Sequence, residues 1–159
     1  MELPSLRGAG ILSCRSLRSR DGGLVHPNFE AEQSNGVAVS KNIFDPRFIG
    51  YYINVQVGED LVTNPNVASV PEELLVARLF GMNQYETQYI RSSNQLPAGD
   101  RVLSQEHILE LTDALNAINN HFAPLYGTTA LDPDFAMEIE FKVTADGELA
   151  IKQARPFAG

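Results

Sequence analysis

Glu138, Glu140, Gln153 and Arg155 are the residues of this chain whose types and spacing could do chemistry. Two carboxylates one alternation apart on a strand sit ~6.5 Å apart along the backbone, given the rise per residue. Oxygens at that spacing can converge on one or two hard cations. Mg²⁺ takes one or two carboxylates and completes its shell with water and phosphate oxygens. An arginine adds a planar fork of donors that matches phosphate. The same residues also allow a plainer arrangement, a cross-strand Glu138–Arg155 ion pair on a solvated face, which contributes little to stability.

What must position them is a hairpin. Met137, Ile139, Phe141 and Val143 alternate with Ala136, Glu138, Glu140 and Lys142, the period of a half-buried strand. Asp146-Gly147 is a strong signal for a tight reversal. A two-residue loop there predicts Ala145 opposite Glu148 and, counting back, Glu140 opposite Gln153 and Glu138 opposite Arg155. Opposed residues of an antiparallel pair point to the same side. One face then carries Glu138, Glu140, Gln153 and Arg155. The other carries Met137, Ile139, Phe141, Val143, Ala150 and Ala154.

The remaining elements follow the same rules. Gly23–Phe29 reads as a short strand running into a loop; Gly50–Val57 reads as a strand paired with the stretch Ser34–Asn42 before it, and Leu74–Ala77 and Tyr85–Ile90 read as further strands. Val37 and Val39 share a face with Lys41 by alternation. Arg91-Ser92-Ser93-Asn94 reads as a strand end and loop. Ser104 caps a helix whose apolar stripe is Ile108, Leu111, Leu115, Ile118 and Phe122. Gly127 is placed to stop its extension. His107 and His121 lie off the stripe, at the surface or the helix end. His26 has no partner acid or nucleophile nearby in sequence and reads as a strand histidine.

Composition bounds the function. Of 159 residues, 43% are hydrophobic and 20% charged, as in an ordinary globular domain with one core. The net charge is −8, which argues against nonspecific nucleic-acid binding and against an anionic membrane surface. The single cysteine, Cys14, cannot close an internal disulfide, so the chain reads as intracellular and cytoplasmic. No apolar run is long enough to cross a bilayer. Arg7, Arg15, Arg18 and Arg20 face one acid, Glu2, in the first twenty residues. Residues 1–21 therefore read as a basic, poorly ordered leader.

Glu138-Ile139-Glu140-Phe141, Asp146-Gly147-Glu148-Leu149 and Gln153-Ala154-Arg155-Pro156 together resemble the last hairpin of the nucleotide-binding domain of phosphoenolpyruvate synthase and pyruvate, phosphate dikinase. That domain has the ATP-grasp fold. The resemblance implies ATP and Mg²⁺ as ligands. It makes Glu138 and Glu140 metal ligands, Gln153 and Arg155 contacts to the metal shell and phosphate, and Arg155 the group that stabilises the transferring phosphoryl. Ser34–Asn42 resembles the family's Ser-Gly-Val-x-Phe-Thr-Arg-x-Pro strand, with Lys41 at its basic position. Gly58-Glu59-Asp60-Leu61-Val62 resembles a segment whose acidic residue lies at the nucleotide, which makes Glu59 a further candidate. One extra residue precedes Gly58, and a shift of one exchanges strand faces. Val25-His26-Pro27-Asn28 stands where relatives hold the adenine through backbone groups, but Pro27 removes a donor.

The resemblance covers residues 22–156. It implies an α+β fold, a mostly antiparallel sheet with packed helices, like the C-terminal subdomain of an ATP-grasp domain at residues 22–159. In the family, ATP phosphorylates a histidine, and the phosphoryl group then passes to pyruvate. The front lobe over ATP and the phosphohistidine domain are not matched, so the chain alone is expected to turn over little. The competing expectation is a noncatalytic module that binds a protein partner or forms a homodimer.

Overall fold

A computed structural model of the chain describes residues 17–18, 24–25, 32–45, 47–59, 68–78 and 85–158. Six antiparallel strands form one sheet: β3 (Glu32–Val39), β4 (Gly50–Val57), β5 (Glu72–Arg78), β6 (Tyr85–Arg91), β7 (Met137–Thr144) and β8 (Leu149–Pro156). Their order across the sheet is β6-β5-β4-β3-β7-β8. A separate pair joins β1 (Leu17–Arg18) to β2 (Leu24–Val25). Apart from Leu17–Arg18, the segment expected to be a leader lies outside the described residues, as do His26 and Pro27. The architecture is α+β.

The helix α1, Gln105–Phe122, lies against β3, β7 and β8. Ser104 caps it: its side-chain oxygen accepts the His107 N–H at 3.1 Å, satisfying one of the otherwise unpaired amides of the first turn. Ile108, Leu111 and Leu115 are fully buried, as their three- and four-residue spacing requires. A 3₁₀ turn, Ala123–Tyr126, continues the chain to Gly127, whose φ of 74° closes it in the left-handed region. His107 stands in the first turn of α1, as its position off the stripe at the helix end implies, and its Nε2 lies 2.9 Å from the Gly147 carbonyl oxygen. That contact ties the start of the helix to the turn of the β7–β8 hairpin.

The sheet separates two apolar clusters. On the helix side Ala38, Ile53, Leu74, Ile139 and Phe141 meet Ile108, Leu111 and Leu115. Burying side chains of this size is worth about 1.5–3 kcal/mol each. Gly36 on β3 lies opposite Phe141 on β7. A Cβ at position 36 would stand 2.8 Å from the Phe141 ring and would also strike the Asn54 carbonyl. Glycine is what lets the ring lie flat on the neighbouring strand. On the other side Val39, Tyr52 and Ala136 are joined by Ile43, Leu75 and Phe157. Phe44 approaches Tyr52 edge-on at 5.9 Å.

Candidate functional site

The hairpin that carries the candidate residues is built by two departures from regularity that cancel. The loop has three residues, not the expected two. The Thr144 N–H donates to the Glu148 carbonyl and the Gly147 N–H to the Thr144 carbonyl, each at 2.9 Å. Gly147, at φ 82°, takes the left-handed position of a type I turn that ends in a bulge. Pairing near the loop is thereby offset by one, and Val143 faces Leu149 while Lys142 faces Ala150. A bulge between Glu140 and Phe141 on one strand and Gln153 and Ile151 on the other sets Lys152 aside. The expected pairs then return: Glu140 faces Gln153 and Glu138 faces Arg155.

One face therefore does hold Glu138, Glu140, Gln153 and Arg155. Ala150 is a correction: the three-residue loop turns it to this polar face, opposite Lys142. Leu149, Ile151 and Ala154 line the apolar face instead. Arg155 donates from Nε (2.8 Å) and Nη2 (2.5 Å) to the same oxygen of Glu138. Glu138 holds the Arg155 guanidinium above its ordinary pKa, and Glu140 adds to the effect from a distance. The ion pair read from the sequence is thus present, and it uses one oxygen of Glu138.

Strand register extends the face beyond the hairpin. Gln153, Glu140, Val37, Asn54, Glu73 and Arg91 form one row across all six strands. The adjacent row runs Arg155, Glu138, Val39, Tyr52, Leu75 and Gln88. Arg91 Nη2 lies 2.7 Å from Glu73 Oε1. Burial and the nearby Glu73 push the Tyr52 hydroxyl up to about 12. Lys142, two residues along from Glu140, is buried against Glu32 at 2.8 Å. Sequence reasoning missed these neighbours. Lys142 was legible in the alternation of β7; Glu32, Asn54 and Glu73 come from distant segments and carry no local signal.

The remaining candidates stand apart. Lys41 lies just past the end of β3, two residues beyond the row of Glu138, with its ammonium 5.3 Å from the centre of the Phe157 ring. Glu59 is exposed in the turn after β4, five residues past Asn54, the β4 residue in the row of Glu140. The sheet brings the four hairpin residues together, sets Lys41 near their Glu138 end, and leaves Glu59 toward the opposite end.

The donor set suits a hard cation. Glu138 and Glu140 offer carboxylate oxygens and Gln153 an amide oxygen, the ligand chemistry Mg²⁺ takes when phosphates and water complete its shell. Among the described residues there is no group of three or more His, Cys, Asp or Glu side chains that would hold a metal by themselves. Among them, too, no helix is long and apolar enough to cross a membrane.

The fold and this face define an α+β domain with a polar antiparallel hairpin at one edge of its sheet. No protein-family model and no curated protein matches the chain.

Proposed function

We propose that the polar face of the β7–β8 hairpin is the magnesium–phosphate part of an ATP site of the kind found in phosphoenolpyruvate synthase and pyruvate, phosphate dikinase. The observation that carries this reading is the register: Glu138 opposite Arg155 and Glu140 opposite Gln153, on one face. Glu138 and Glu140 would hold Mg²⁺, with Gln153 at its shell. The cation would neutralise charge on the phosphates. Arg155 would leave Glu138 for a phosphate oxygen, since its fork fits either anion. The described residues supply one wall of such a site. Phosphoryl transfer depends on positioning from all sides, so weak nucleotide binding and little turnover are expected of this chain alone.

Calorimetric titration with MgATP tests the reading. Heat that disappears in Glu140→Ala while the variant keeps its thermal unfolding transition supports it. Absence of heat from the wild-type chain at millimolar nucleotide overturns it.

A second reading has its own observation. Phe44, Phe48 and Ile49 of the β3–β4 loop are each exposed, and exposed apolar side chains promote association where they form a patch. On this reading the chain is a noncatalytic module that self-associates or binds a protein. A mass that rises with concentration in the wild type and stays monomeric in Phe44→Ser/Phe48→Ser supports it. A monomer at all concentrations removes the self-association form.

A further inference from the structure

The strap between β6 and α1, residues 92–103, is held to the sheet by a carboxylate that the proposed site does not use. Glu72 on β5 is fully buried. Its Oε1 accepts the Val102 N–H at 3.2 Å. Its Oε2 is buried without a hydrogen bond and lies 3.6 Å from Arg101 Nη1. The Arg101 guanidinium lies over the Tyr89 ring at 3.7 Å and donates to the Ser92 hydroxyl at 3.0 Å. Leu103, two residues on from Arg101, is buried in the main core. Earlier in the strap, the Asn94 side chain accepts the Val70 N–H and donates to the Ala68 carbonyl. Among the described residues, the ionisable groups facing Glu72 are Arg101 from the strap and Tyr89 from β6; β4 presents Val55.

We infer that Glu72 is a pH-sensitive latch that fastens this strap to the sheet through the Val102 amide, with Arg101 setting how far its charging loosens the strap. A buried carboxylate with one oxygen that accepts no hydrogen bond is costly when charged. The Arg101 contact is too long for a hydrogen bond and offsets only part of that cost. Burial accordingly raises the Glu72 pKa, while the Val102 amide, Arg101 and the Leu103 amide oppose the rise. The sign follows from linkage. An acid whose folded pKa is raised gives its full stabilisation below the unfolded value. That stabilisation is lost as pH rises through the folded value. The strap is therefore closed most firmly in mild acid and loosens toward neutral pH.

Amide hydrogen exchange at Val102 and Leu103, corrected for the intrinsic pH dependence of exchange, reads the latch directly. In the wild-type chain their opening constant should rise several-fold between pH ~4.5 and pH ~7.5, about tenfold for each pH unit by which the folded pKa exceeds the unfolded one. Glu72→Gln keeps an acceptor for Val102 and should flatten that profile. Arg101→Ala leaves the carboxylate without its cation and should steepen it. A flat wild-type profile overturns the latch. So does a Glu72→Gln profile that still rises like the wild type. Should Glu72→Gln not fold, the wild type and Arg101→Ala decide: identical profiles for the two overturn the inference, and a steeper one in the variant supports it.

Discussion

Arg155 spends two of its nitrogens, Nε and Nη2, on a single oxygen of Glu138, Oε1. On the proposed reading, a cation at Glu138 and a phosphate at Arg155 would each have to compete with this same ion pair. Removing the guanidinium should separate them. In Arg155→Ala, Mg²⁺ alone should bind at least as well as in the wild type, because Glu138 is released. MgATP should bind about tenfold more weakly or worse, the scale of one charge-assisted hydrogen bond to phosphate. Parallel titrations with MgCl₂ and MgATP check this. Equal losses of both would show that Arg155 holds the hairpin together and does not read phosphate.

Lys152 is the residue the bulge sets aside. Deleting it should give a regular ladder with Glu140 still opposite Gln153 and Glu138 still opposite Arg155. The deletion variant should fold and keep MgATP binding within about threefold, a change of well under 1 kcal/mol. Cross-strand NOEs between Cα protons of the two strands would report the register. A shifted register or an exchange of faces would contradict the compensation between loop and bulge.

Gly36 makes room for Phe141 across β3 and β7. Gly36→Ala forces either the ring or the β4 backbone to move. Overpacking of this kind costs about 1–3 kcal/mol, and urea unfolding should show a lower midpoint with an unchanged slope. Phe141→Ala should cost more, about 3–5 kcal/mol, because it opens a cavity beneath α1.

Tyr52 titrates at about 12 because it is buried and stands beside Glu73. The neutral phenol is the form the fold favours. Its contribution is complete below the unfolded value of about 10 and is lost as pH rises toward 12. Tyr52→Phe should remove that part of alkaline unfolding and one late step from the tyrosinate absorbance titration. An unchanged high-pH transition in the variant would place the effect elsewhere.

Much of the local structure was legible in the sequence. The helix announced itself through Ser104 and the Ile108–Leu111–Leu115 spacing, which are properties of contiguous residues. The hairpin did so through the alternation of β7 and through Asp146-Gly147. Its register came out as read near Glu138 and Glu140, yet by a route that was not visible. A glycine in the left-handed region serves a three-residue loop as well as a two-residue one, and no local signal marked the bulge at Lys152. Ala150 is where that difference shows. His107 was read as a surface or helix-end residue and does stand in the first turn of α1; its partner, the Gly147 carbonyl forty positions away, was not visible.

By itself the sequence determined which residues could meet across one turn, since opposed positions on two adjacent strands follow from counting. It could not determine which strands lie side by side. That β3 separates β7 from β4, and so aligns Glu140 with Val37, Asn54, Glu73 and Arg91, was decided by tertiary packing. Long-range pairing is selected by the burial of whole faces against α1 and the loop after β3, and no short stretch of residues encodes it. The same packing decided that Glu72 is buried beside Arg101, a relationship between distant segments that exists only once the sheet has formed.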